Sequence, residues 1–496
     1  KMNYKQLVKT EKYTIIRAKF MLPLSQHLEK YVRIEDGYVL SEFDKIIEVG
    51  QFSAEVEERV LKLNPLKIIG QDGQSKQIPC LNGVLLPGFV KCHGHDAEAS
   101  IVGLDKETTL TEWLDRCVNP FTGFLNANLQ QLQQELGESP HLVTYRKARL
   151  DDLQFGITSA MAHHCNHNKY HVPELARANL ETGTKMVIAV GSQDRFFDAR
   201  ILDTVEEALQ RLDSNYELFK DAANTKIIPG PDQCFSNSPA MLTALKQWAR
   251  DHGTLIHIHS SEEPATTAWF CKKFGETPMQ YLNSINFLDS LTLVAHAVNL
   301  TPGDIQILAK TGTKVAHNPL ANTVLSSGMP PIREFLESKI GFAVATDGSG
   351  SADSQNILAA VRLTEQFFRG KDKKPLLRAE QMIELITAVP AEFLQLNCGR
   401  LQKGMQADFV LIDCEKANMR PTHLENCVEN VVWAAAGNEA RWVVSNGVEL
   451  VANYEYKNLG FDWRENLGQI EELTRRFLEW RKGQKGEISQ TGVRSE

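Results

Sequence analysis

The chain has 496 residues and a mass of 55.7 kDa, with 42% hydrophobic and 23% charged residues. That composition belongs to a folded protein and excludes a collagen, a mucin or a wholly disordered chain. Lys and Arg number 54 against 62 Asp and Glu, for a net charge of −8. No global basic field exists to hold polyphosphate, so nucleic acid is not expected as a partner, although a base or nucleoside substrate remains open.

Residues 1–13 are polar and lack the apolar stretch of a secretory signal. No run approaches the ~18 apolar residues of a membrane span. The nine cysteines are scattered without a C-x-x-C pair, which fits a reducing compartment. A cytoplasmic protein with no membrane partner is expected.

Short β segments come first: Tyr13 to Ile16, Tyr38 to Leu40 and Lys45 to Gly50. A polar patch, Gln71 to Gln77, precedes a buried-type strand, Gly83 to Val90. Apolar runs then alternate with amphipathic stretches such as Pro239 to His252 and Pro302 to Lys310. The strand-like runs after Val84–Val90 are Gly156–Met161, Lys185–Val190, Lys226–Ile228, Thr254–Ile258, Leu291–Ala295, Lys314–Ala316 and Gly341–Ala345. Eight βα units over residues 86–395 are the arithmetic of an α/β protein built on a (β/α)8 barrel. After a helical stretch, Ala379 to Leu396, β texture returns at Gly404–Asp413, Asn430–Trp433 and Arg441–Gly447. Residues 1–85 and 396–455 are therefore expected to form one small β-sandwich domain, with a helical tail over 456–496 that turns polar at its end.

Polar residues just beyond barrel strands open onto the active-site face. Four such places stand out: His93-Gly94-His95, His257-Ile258-His259 with Glu262, Ala295-His296 and Thr346-Asp347-Gly348. Histidines at i and i+2 on an extended chain point to one side and can reach one cation. Three histidines and a carboxylate from separate strand ends make an N3O site for a borderline ion. Such an ion brings the pKa of water toward ~7, and Glu262 is placed to carry a proton to a leaving nitrogen.

With these residues in strand order, the chain resembles the amidohydrolase superfamily, and more closely its amino-heterocycle deaminase branch. Pro87-Gly88-Phe89-Val90 before His93-x-His95 resembles the opening signature, and His259-x-x-Glu262 the fifth-strand motif. Val294-Ala295-His296 resembles the sixth. His317-Asn318-Pro319 with Asn322 and Ser327-Gly328 resembles the seventh-strand loop, and Thr346-Asp347-Gly348 the eighth. The resemblance implies that His93, His95, His259 and Asp347 bind one divalent ion, zinc or else iron. It implies that Asp347 is also the base for water, that Glu262 shuttles a proton, and that His296 polarises the group under attack. It gives substrate contacts to His317 and Asn318, to Trp113 (or else a helix-face tryptophan), and to the histidines after the second strand, His163 and His164. His257 reads as a packed histidine.

Two positions depart from the pattern. Glu98 stands where many relatives carry a ring-holding Gln, and a carboxylate there favours an amino-rich or cationic edge. Lys91-Cys92 replaces a small or acidic residue followed by Thr or Ala, and Cys92 reads as core. Lys226 begins the fourth strand instead of ending it, so one metal is expected and not two.

The expected activity is hydrolytic deamination of an amino-substituted N-heterocycle, such as a guanine-like purine, a pterin or a triazine, with release of ammonia. The same site could instead hydrolyse a cyclic amide, a formimino group or a triazine carbon bearing chloride or an alkylamine, or the barrel could be a silent binding subunit. By analogy with relatives the protein is expected to be a homodimer.

Overall fold

The computed structural model describes residues 11–71 and 77–484. The expectations for the first ten residues, for the centre of the polar patch and for the end of the tail lie outside them.

Two four-stranded parallel sheets form the middle of the chain. The first runs β1 (Phe89–Lys91), β2 (Ile157–His164), β3 (Lys185–Ser192), β4 (Thr225–Pro231). The second runs β5 (Ile256–Ser260), β6 (Thr292–His296), β7 (Lys314–His317), β8 (Phe342–Val344). Helices lie between consecutive strands, and their starts follow from local chemistry. Ser238 Oγ accepts from Met241 N ahead of Pro239–Asp251, and Thr301 with Asp304 forms a capping box ahead of Pro302–Thr311.

One buried apolar cluster takes a residue from the line of every strand, including Val90, Met161, Val187, Ile228, Leu293 and Ala316. Cys92 sits in it, and burial pushes its thiol up to about 12. The sheets meet at two seams. At one, His259 N donates to Asp232 O at 3.1 Å and Gln233 bridges His259. At the other, β1 and β8 do not pair. Val90 N donates to Ile386 O (2.8 Å) and Val344 N to Leu385 O (3.0 Å), so an intervening backbone segment bonds to both. This breaks the expected helical stretch into two short helices, Ala379–Glu384 and Ala388–Phe393.

A separate nine-stranded sheet draws on both ends of the chain. Its Leu81–Pro87 strand lies between Tyr13–Met21 and Phe409–Asp413. The expected single strand through Gly83–Val90 is thus two strands in two sheets. The chain crosses at Gly88, where an added Cβ would lie 2.4 Å from Thr158 Oγ1. The expected strand at Asn430–Trp433 is instead helical, a helix at Cys427–Glu429 running into a π-turn at Asn430–Ala434. Ala435 N donates to Asn430 O at 3.0 Å, and Arg362 takes the Val432 carbonyl, so two carbonyls a ladder would have used are satisfied otherwise.

The last described helix, Trp463–Gly483, buries Ile470, Leu473 and Phe477. Phe477 meets Phe121 edge to face at 5.1 Å, and Thr474 Oγ1 donates to Ser100 O at 2.7 Å. The helix therefore backs the loop that follows β1. No described helix is long and apolar enough to cross a membrane, and all nine cysteines are free thiols.

Candidate metal centre and active site

The strand ends aim their side chains at one point. His93 and His95 lie two and four residues past β1, His259 is in β5 and His296 closes β6. His296 (φ 73°) and Asp347 (φ 72°) adopt the left-handed conformation, which turns the chain sharply out of the ladder at a typical cost of about 1–3 kcal/mol for a non-glycine residue.

Two imidazoles define the centre. His95 Nε2 lies 3.1 Å from His259 Nε2. His95 Nδ1 faces the His163 carbonyl at 3.0 Å, and His259 Nδ1 the Asp232 carbonyl at 2.7 Å. A carbonyl only accepts, so each Nδ1 carries the proton and each Nε2 presents a lone pair. Two lone pairs turned on each other at that distance repel unless a cation lies beside both. Asp347 Oδ1 is 3.3 Å from His93 Nε2 and 3.6 Å from His95 Nε2. Donors held ~2.0–2.1 Å from a tetrahedral zinc ion lie roughly 3.3 Å from one another, and these separations match. His93 is fully buried and neither of its ring nitrogens has a hydrogen-bond partner. Buried, orphaned nitrogens of this kind are what a metal ion satisfies. The donors thus fit a divalent ion, and His93, His95 and His259 form one cluster of suitable ligand atoms, with His93, His296 and Asp347 another.

The proton carriers flank that point. Glu262 Oε2 lies 3.3 Å from His296 Nε2, and Asp347 Oδ2 3.8 Å from it. Burial, reinforced by repulsion from Asp347 and Glu263, pushes the Glu262 carboxyl well above the usual range. Burial also opposes ionisation of Asp347, but His93, His296 and His95 outweigh it and hold that group well below the carboxylate norm. Burial lowers His296, so the ring is neutral, and its Nδ1–H is accepted by Asn322 Oδ1 at 2.8 Å. The centre therefore sets one carboxyl pushed up and one held down beside a lowered imidazole, an arrangement suited to acid–base work.

The expected substrate contacts divide. His163 and His164 are neighbours on a strand and point to opposite faces. The His163 ring lies 4.3 Å from that of His259, whereas His164 packs 5.1 Å from Tyr145, away from the centre. His317 is buried beside the site with both ring nitrogens unpartnered, and burial lowers it to about 3. Asn318 Nδ2 approaches His296 Nδ1 at 3.4 Å, and its Oδ1 has no partner. Glu98 is buried, with Oε2 accepting from Ser351 N at 2.8 Å, and burial raises it to about 7. Only one of its oxygens is left to meet a ligand. Trp113 closes the short helix Leu110–Trp113. It is buried with Phe121 and Leu473, and its Nε1 donates to Leu104 O. His257 stacks on His93 at 4.9 Å and joins the packing beneath the centre, with its Nδ1 2.8 Å from that of His163. Lys226 Nζ donates to Gln395 O at 2.6 Å, at the far end of β4.

Sequence reasoning passed over Asp232. Its carboxylate lies 3.5 Å from His163 Nε2, while its carbonyl orients His259. Burial opposes its ionisation, yet His163 holds it below the usual range. It is the first residue after β4, so the strand-end rule that found Asp347 also points to it.

The sequence model of the Amidohydrolase family matches residues 84–448. A 5-methylthioadenosine/S-adenosylhomocysteine deaminase from Thermococcus kodakarensis is 27% identical over 365 residues, 73% of this chain and 81% of that protein. A 5'-deoxyadenosine deaminase from Methanococcus maripaludis is 29% identical over 360 residues, 72% and 80% of the two chains. Among solved structures, the atrazine chlorohydrolase from Arthrobacter aurescens TC1, complexed with zinc, superposes with a TM-score of 0.81 at 21% identity, covering 93% of this chain and all of that one. The strand-end histidines thus lie within a match that spans most of the chain, and this protein belongs to the amidohydrolase family.

Proposed function

We propose that the protein is a zinc-dependent aminohydrolase that deaminates an amino-substituted nitrogen heterocycle to its oxo form, and that the ring is an adenine carried by a nucleoside. The relatives named as deaminases of methylthioadenosine and deoxyadenosine favour this substrate over a guanine-like purine, a pterin or a triazine. We read the two parallel sheets as halves of one (β/α)8 barrel over residues 86–395, since a single cluster collects side chains from the line of all eight strands. On this reading the nine-stranded sheet is the small β-sandwich domain of residues 1–85 and 396–455, and 456–496 is a helical tail.

The observation that carries the reading is the pair of opposed Nε2 lone pairs on His95 and His259, 3.1 Å apart. His93, His95, His259 and Asp347 would hold the ion. A zinc ion bound there supplies Lewis acidity, which brings the pKa of water close to ~7; the same donors also suit iron.

Hydrolysis forms a carbon–oxygen bond from water and breaks the bond to the exocyclic nitrogen. Asp347, ionised, takes a proton from the attacking water. Glu262 gives its proton to the ring nitrogen next to the carbon under attack; the proton that Asp347 took passes to the exocyclic amine, which leaves as ammonia, and Glu262 regains a proton from the hydroxyl of the tetrahedral adduct as the oxo group forms. His296 accepts from Glu262 through Nε2, and its Nδ1–H stays on Asn322, so the ring cannot turn away. Glu98 Oε1, His317 and Asn318 would meet the heterocycle. Zinc-loaded protein should release ammonia from adenine nucleosides, with the oxo product detected by mass; no ammonia from these, from purines, pterins or triazines defeats the proposal.

A further inference from the structure

A buried charge network lies behind the candidate ligands, and the reaction uses none of it. Lys91, the last residue of β1, donates through Nζ to Asp152 Oδ1 at 2.8 Å and to Gln355 Oε1 at 2.7 Å. Gln355 in turn donates through Nε2 to the Asp347 carbonyl at 3.1 Å and accepts from Thr346 Oγ1 at 2.5 Å. Arg149 Nη1 lies 2.8 Å from Asp152 Oδ2, and the same guanidinium makes a two-pronged pair with Asp96 at 2.7 Å on each prong. Two cations and two carboxylates thus offset one another in the interior. Lys91 and Asp96 bracket His93 and His95, and Thr346 and Gln355 bracket Asp347.

The place matters because no ladder joins β1 to β8. Both strands bond instead to the Leu385–Ile386 backbone, so strand pairing does not set the distance between the two ends that carry candidate ligands. Beyond that segment the ends come close: a Cβ added to Gly94 would lie 3.0 Å from the Asp347 carbonyl oxygen and 3.2 Å from Lys91 Nζ. We propose that Lys91 is a positioning residue which, through Gln355, fixes the Asp347 strand end against the His93–His95 strand end and so sets the span across which the ion binds. The inference rests on the metal-centre reading above.

The test uses full-length protein and two readouts: zinc affinity by competition with a chromogenic chelator, and the thermal midpoint of the metal-free protein. Lys91→Met and Gln355→Leu should each weaken zinc binding roughly 10- to 100-fold, the usual effect of losing a group that orients a ligand. Lys246→Met is the control. Lys246 is also buried and paired, with Asp289 at 2.6 Å and Thr292 at 2.9 Å, but its partner Thr292 is at the end of β6 opposite His296 and the pair shares no residue with the Lys91 network. It should lower the midpoint and leave zinc affinity at the wild-type value. Wild-type affinity in both Lys91→Met and Gln355→Leu overturns the proposal, as does an equal loss in Lys246→Met. Should Lys91→Met fail to fold, Gln355→Leu decides, because it removes no charge. Wild-type protein that takes up no zinc overturns the metal-centre reading and this inference with it, whereas unchanged affinity in the variants overturns only the brace.

Discussion

Asn322 Oδ1 accepts the Nδ1 proton of His296 at 2.8 Å, and that contact decides which nitrogen of His296 faces Glu262. Asn322 is itself pinned, because its carbonyl accepts from Ser327 N (2.8 Å) and Gly328 N (3.2 Å). Asn322→Leu should lower kcat by roughly 10- to 100-fold, the range for a lost orienting partner, with KM and bound zinc little changed. A matching loss of zinc would show that the residue acts on the metal centre and not on His296.

Glu262→Gln removes the proton donor while keeping its shape. Turnover should fall about 100- to 10,000-fold, the contribution of one positioned acid–base group. Ammonia release and metal content are measured on the same sample, and one zinc per chain should remain. Near-normal turnover would leave Glu262 without the shuttle role.

Removal of the ion is the reciprocal experiment. Dialysis against a chelator should abolish ammonia release, and added zinc should restore it. A ligand present at 100 times its Kd stabilises the folded state by about 2.7 kcal/mol, so the thermal midpoint should rise on reloading. Activity that survives complete chelation would contradict the account.

Glu98→Gln retains an acceptor for Ser351 N–H and removes the charge. The variant should lose roughly 10-fold in kcat/KM on amino-rich rings relative to oxo-purines, the scale of one mismatched polar contact. Measuring kcat/KM for an adenine nucleoside and for guanine in both proteins tests it. An unchanged ratio would place Glu98 in loop packing against Gly348 and Ser351 alone.

Phe477 is fully buried against Phe121 and Phe124. Phe477→Ala should cost about 3–5 kcal/mol, as large-to-small changes in a packed core do. Amide hydrogen exchange should show Trp463–Gly483 opening faster, along with the segment around Ser100 that Thr474 holds.

Much of the site was legible because two simple periodicities govern it. Alternation along a strand puts His257 with His259 on one face and separates His163 from His164, and polar residues past strand ends mark the active face. What stayed hidden depends on partners distant in the chain. Lys91 meets residues 61 and 264 positions away, and no local pattern announces such a pair. Trp113 reads equally as a pocket aromatic or a helix-face tryptophan, and the helix it packs with lies some 360 residues later. The Gly83–Val90 run is apolar throughout, so nothing in its period reveals the change of sheet at Gly88. Asn430–Trp433 has strand-like composition, but its Asn430 carbonyl closes a helical turn with Ala435 N and its Val432 carbonyl accepts from the distant Arg362.

Zinc-edge anomalous diffraction from crystals of the zinc-loaded protein tests the central claim most directly. The account predicts one peak per chain, within bonding distance of the ring nitrogens of His93, His95 and His259 and of an Asp347 oxygen. A peak elsewhere, or none among these four side chains, would contradict it.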